Sequence, residues 1–231
     1  MGSKCLVESK WMRVQQHQVL FPGQSTPISD WLWIDYHDRI NVLVEAPSAP
    51  SSEYESSSSL SSPDSREMFF FIFSQSKYAL EGRTSMAILG GIVEPGEHPQ
   101  DAAAREVQEE MSVTCDEMHP LGRFRTDVNR GMGWVHSFLA MRCHYYQHES
   151  KIAKTGTRTI LGMHSSTSSS SHAVSEGEQV GNADVERQDL RKVSLKELRA
   201  ASRNGDFVEV QWSNTVALAL MHPELAGPDR R

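Results

Sequence analysis

The stretch from Gly90 to Val113 constrains the fold of this chain more than any other. It reads GIVEPGEHPQDAAAREVQEEMSV after Gly90. Pro95-Gly96 marks a turn. Pro99 follows at an early helical position, where its missing N–H costs little, and Asp101 lies near the positive end of the helix dipole. The spacing predicts a strand, a turn and a helix over 99–111. Glu106 and Glu110 are four residues apart, so they share a helix face, and Glu109 flanks it. Three carboxylates so close repel one another. A hard divalent cation with oxygen ligands relieves that repulsion, and magnesium suits a site that must leave room for substrate phosphate oxygens. An acidic, solvated helix face is the competing reading of EVQEEM taken alone.

The wider pattern decides between them. The segment resembles the Nudix box: Gly, five residues, Glu, seven residues, Arg-Glu, an aliphatic, any residue, Glu-Glu, any residue, Gly, an aliphatic. The matching positions are Gly91, Glu97, Arg105, Glu106, Val107, Glu109, Glu110 and Val113, and only Ser112 departs, standing where Gly is usual. A chance match at six fixed positions is on the order of one in ten million per start point. The resemblance implies that Glu106, Glu109, Glu110 and the backbone carbonyl of Gly90 hold Mg2+, with Mn2+ as an alternative. It implies that Arg105 pairs with Glu97 to orient the glutamates. Ser112 falls at the expected helix end, where a left-handed residue costs about 1 kcal/mol in Ser compared with Gly.

Beyond the box the resemblance is loose and points to ADP-ribose and ADP-sugar pyrophosphatases. It rests on GGIVEPGE with DAAAREV, on SLKEL followed by Gly205, and on the apolar run from Val216 to Leu220. It implies hydrolysis of a nucleoside diphosphate linked to a group X, giving AMP and a sugar phosphate. It also implies a further loop acid acting on the metals or the water: Glu186 first, Asp184 second, with Glu176 and Glu178 as rivals. Glu109 and Glu110 join that acid as catalytic candidates. Arg123, Arg125 and Arg130 are candidates for substrate phosphate or ribose, or else solvated strand-edge charges. Trp33, Tyr36, Phe70 and Trp134 read as core more readily than as base-stacking residues. The subgroup's usual Pro about sixteen residues past the box is replaced by Asn129. A homodimer through N-terminal strands follows from the same likeness. A catalytically silent Nudix-fold binding module is the alternative, and the intact glutamates weigh against it.

The fold class expected is α/β: a Nudix α/β/α sandwich with a mixed sheet, an N-terminal β extension and serine-rich loop insertions. The segments are 1–45 as a strand-rich extension, 46–66 as a serine-rich loop, 67–222 as the Nudix domain with a disordered loop at about 164–182, and 223–231 as a tail. Strands are predicted over 31–36, 40–45, 68–74 and 134–143, with His37-Asp38 as a turn. Helices are predicted over 194–202, from a Ser194/Glu197 capping box, and over 213–221.

A net charge of −7 argues against a nucleic-acid enzyme such as a decapping hydrolase. No apolar run is long enough to span a bilayer. Cys5, Cys115 and Cys143 are odd in number and scattered, which predicts no disulfide framework and a reducing compartment. Cys143, His144 and His148 lack a fourth zinc ligand nearby. Absence of a myristoylation pattern or signal core makes the cytoplasm the expected location.

Overall fold

The computed structural model describes residues 2–48, 67–146 and 188–227. Both serine-rich stretches fall, wholly or nearly so, outside the described residues, as do Glu176, Glu178, Asp184, Glu186 and His148.

The described strands join in one mixed sheet. Its main path runs β1 (Ser3–Glu8), β2 (Met12–Val19), β3 (Ile28–Tyr36), β9 (Gly131–Tyr145), β4 (Arg39–Glu45), β5 (Phe69–Gln75) and β10 (Gln188–Ser194). Off this path, β6 (Ser85–Ala87) pairs β5, β7 (Leu89–Ile92) pairs β4, and β8 (Val113–Asp127) pairs β9. β9 runs parallel to β4 from Arg39↔Val135 to Val44↔Ala140. Consequently His37-Asp38 does not close a hairpin: β9 lies between β3 and β4. β4 is a central strand with Ile40 to Val44 buried, so the structure sets it with the core strands rather than with the extension. In β5 four consecutive residues, Phe70 to Phe73, are buried, which requires cover on both faces.

The two covers come from different helices. α1 (Pro99–Met111) turns Ala102, Ala103, Val107 and Met111 inward. It lies over Gly91, because a Cβ there would meet the Glu106 side chain at 2.5 Å. Ile40 pairs with Gly91, and therefore faces α1 as well. The next residue along, Asn41, faces the other way and pairs with Ser137, whose hydroxyl is 2.7 Å from that of Thr215 on α3 (Val210–Met221). α1 and α3 thus cover opposite faces. α2 (Leu195–Asn204) begins with the Ser194/Glu197 capping box and ends at Gly205 in the left-handed region. α4 (Pro223–Ala226) is one turn that buries Leu225.

The cysteine expectation is overturned. β8 and β9 form a long antiparallel hairpin that sets Cys115 opposite Cys143, and the two are disulfide-bonded. Their separation of 28 residues hides the pairing until both strands are known. Only Cys5 is free. The case for a reducing compartment rested on unpaired cysteines and loses that support. It also removes Cys143 from any zinc site.

Candidate active site

The site is built where β7 hands over to α1. Glu97 closes the connecting loop: its Oε2 accepts the Glu94 N–H at 3.0 Å. The same carboxylate takes two donors from Arg105, Nε at 3.0 Å and Nη2 at 3.1 Å. Arg105 goes further. Its Nη1 donates to Glu106 at 2.8 Å and to Glu109 at 3.2 Å, and its Nη2 donates to the Ile92 carbonyl at 3.2 Å. One guanidinium therefore ties loop, strand and helix together and holds two of the three candidate ligands. Hydrogen bonds from Arg105 hold the Glu97 carboxyl below its ordinary range, and the Glu97 partner in turn raises Arg105.

Glu106 is half-buried, with a side chain 14% exposed against 59% for Glu109. Burial pushes its carboxyl up, Arg105 opposes that, and repulsion from Glu109 and Glu110 adds to it. The missing side chain at Gly91 makes room for it. Glu110 is exposed and its Oε2 accepts from Gln188 Nε2 of β10 at 3.1 Å. Among the described residues no three acidic, His or Cys side chains converge closely enough to hold a metal ion. The three glutamates share a face but turn toward Arg105 and Gln188.

α1 ends as the box position demands. Ser112 has φ 54 and ψ 38, left-handed, and its N–H bonds the Gln108 carbonyl. The departure from Gly changes the residue and leaves the cap in place.

The family model for the NUDIX domain matches residues 61–212, more than half of the chain. The chain belongs to the Nudix family. A solved structure described as an ADP compounds hydrolase superposes with a TM-score of 0.61 at 11% identity, covering 100% of this chain and 95% of that one. At that identity the likeness speaks to the fold. No curated protein matches the sequence. As a Nudix hydrolase the chain cleaves pyrophosphate linkages in nucleoside diphosphate derivatives, and members of the family generally use divalent cations.

The Nudix donor set fits such a cation. It offers hard carboxylate oxygens on one helix face and, at Gly91, a glycine floor that a Cβ would fill. Gly90, the next residue, pairs with Asn41 and faces the opposite side of the sheet, where a Cβ would sit 3.3 Å from Asn41 Oδ1.

The structure also sorts the remaining candidates. Arg123 and Arg125 stack on Trp134, with guanidinium carbons 4.0 and 4.1 Å from a ring centroid, and Arg130 lies over Trp31 at 5.4 Å. Phe70 is core. Trp33 and Trp134 are half-buried, and Trp134 is engaged by guanidiniums. Asn129 has a local cause: its N–H and that of Arg130 both donate to Asp127 Oδ1, at 2.7 and 2.9 Å. Proline at 129 would lack the first donor. Sequence reasoning missed Gln188, which meets Glu110 from 78 residues away. It also missed Asp38 and His136. His136 carried a signal in retrospect, since it alternates with Trp134 and Phe138 on one face of a predicted strand.

Proposed function

We propose that the chain hydrolyses the diphosphate bond of ADP-ribose or an ADP-sugar, releasing AMP and a sugar phosphate. The supporting observation is the Arg105 clamp, which holds Glu97, Glu106 and Glu109 around a glycine floor. In this reading Glu106, Glu109, Glu110 and the Gly90 carbonyl hold Mg2+, with Mn2+ as a substitute. Bound there, the cation neutralises diphosphate charge and lowers the pKa of an attacking water. Arg105 fixes the side-chain directions of Glu106 and Glu109, and Gln188 does so for Glu110. Glu186, or Asp184, orients the water as it approaches phosphorus. Arg123, Arg125 and Arg130 engage the substrate's oxygens. Two copies associate through the N-terminal strands, where Leu6, Val7 and Met12 are exposed along with Trp11 in the bend between β1 and β2.

The test is a substrate panel of ADP-ribose, ADP-glucose, UDP-glucose, NADH, dinucleoside polyphosphates and coenzyme A, with Mg2+ or Mn2+. ADP-ribose or ADP-glucose should lead, and Glu110→Gln should abolish turnover. A silent panel, with Glu110→Gln indistinguishable from wild type, would leave a nucleotide-binding module instead. Light scattering on the full chain reads the dimer.

A further inference from the structure

A second group of charged and aromatic side chains lies on the same face of the sheet as the glutamates. The strand registers locate it. Gly91 pairs with Ile40, Ile40 with His136, and His136 with Arg123, one row across β7, β4, β9 and β8. Directly paired residues point to one face, so Glu106 over Gly91 shares that face with His136 and Arg123. With strands about 4.8 Å apart, His136 stands roughly 10 Å along the row from Gly91, and Arg123 one strand further.

The group is built around Asp38. Its Oδ1 accepts the Trp134 N–H at 2.9 Å, which anchors it between β3 and β4. Its Oδ2 lies 3.7 Å from both Arg123 Nη2 and His136 Nε2, too far for a good hydrogen bond to either. His136 Nε2 is buried and has no hydrogen-bond partner among the described residues. Arg123 and Arg125 lie against the Trp134 ring. Stacking in that way turns the Arg123 N–H edge outward, its side chain 52% exposed, whereas Arg125 donates from Nη1 to the Gly133 carbonyl at 3.4 Å. The Arg123 guanidinium and the His136 imidazole thus share a single carboxylate, with the Arg125 guanidinium stacked beside them on Trp134. That balance fits a dianion with several oxygens better than a neutral sugar or a base, because guanidinium forks match phosphate oxygens.

We propose that Arg123, Arg125 and His136, held by Asp38 and Trp134, form a subsite for a phosphate monoester on the substrate, separate from the diphosphate that is cleaved. The inference rests on the diphosphate-hydrolase reading above for the position of the scissile bond. The preferred substrate is accordingly an ADP-sugar that carries one more phosphate, on the adenosine ribose or on X, at roughly two strand spacings from the cleaved linkage.

The experiment has two arms. In the first, kcat and KM are measured with Mg2+ for ADP-ribose, for its 2′-phosphate on the adenosine side, and for its phosphate ester on the terminal ribose. One phosphorylated form should show a KM about tenfold below that of ADP-ribose, the size of one charge-assisted contact. Arg123→Met should reduce that advantage to about twofold or less. Asp38→Asn keeps the acceptor for the Trp134 N–H but removes the opposing charge, so it should widen the advantage. A purely structural Asp38 would not give that sign. The second arm needs no turnover. Calorimetry compares adenosine 2′,5′-bisphosphate with AMP, and ribose 1,5-bisphosphate with ribose 5-phosphate, which tells the two ends apart. A bisphosphate preference without hydrolysis would sink the catalytic reading and keep the subsite. Equal binding within both pairs, in wild type and in Asp38→Asn, would overturn the subsite whether or not hydrolysis occurs.

Discussion

Arg105 spends its donors on Glu97, Glu106, Glu109 and the Ile92 carbonyl, so it has a positioning duty that a point charge cannot copy. Arg105→Lys should lower turnover with limiting Mg2+ by about 10- to 100-fold, partly recovered by excess metal. Unchanged metal dependence would remove that role. Gly91→Ala tests the floor. A Cβ lies 2.5 Å from Glu106, so the carboxylate must move, and activity should fall while circular dichroism stays native. Glu209 gives a pH test away from the glutamates. Burial raises its carboxyl, against the pull of Arg39 and Lys77. A raised folded-state pKa means that proton binding favours the folded chain. The stabilisation is full below the unfolded pKa and is lost as pH rises through the folded value. Glu209→Gln should therefore raise Tm at pH 7, with the gap closing toward pH 4. A constant gap across that range would show another cause.

At the scale of elements, the end of α1 offers a direct measurement. Ser112 occupies the left-handed region with a Cβ, and Ser112→Gly should stabilise the fold by about 1 kcal/mol, read as a higher Tm. Activity should persist in both, because residue 112 supplies no candidate ligand. The sequence reading located this cap, the Pro99–Met111 helix and the Ser194 box because each depends on residues within one turn. The buried run of β5 was legible for the same reason. The failures are of another kind. β8 and β10 carry charged and polar residues on exposed positions, so neither shows a clear alternation, and both exist through pairing with β9 and β5. The Asp38 hub draws on residues 38, 123, 134 and 136, and no local pattern announces it.

At the scale of the whole molecule, β9 pairs β8 on one edge and, along the other, β3 near its start and β4 through its middle. It carries His136 toward the α1 face and Ser137 toward α3, so both helical layers bear on one strand. The disulfide adds a covalent tie at its far end. Cys115→Ser should leave the sheet assembled, since the hairpin keeps its backbone ladder, but lower Tm in oxidising buffer. An identical Tm for the variant and the oxidised wild type would mean that the bond adds nothing.

That tie makes residues 115–143 a closed ring, with Val128, 83% exposed, and Arg130 at its rim. A trypsin cut after Arg130 would open the ring without parting the molecule. The two pieces would migrate as one band until a reductant is added, and every residue proposed to grip the extra phosphate would stay tethered to α1.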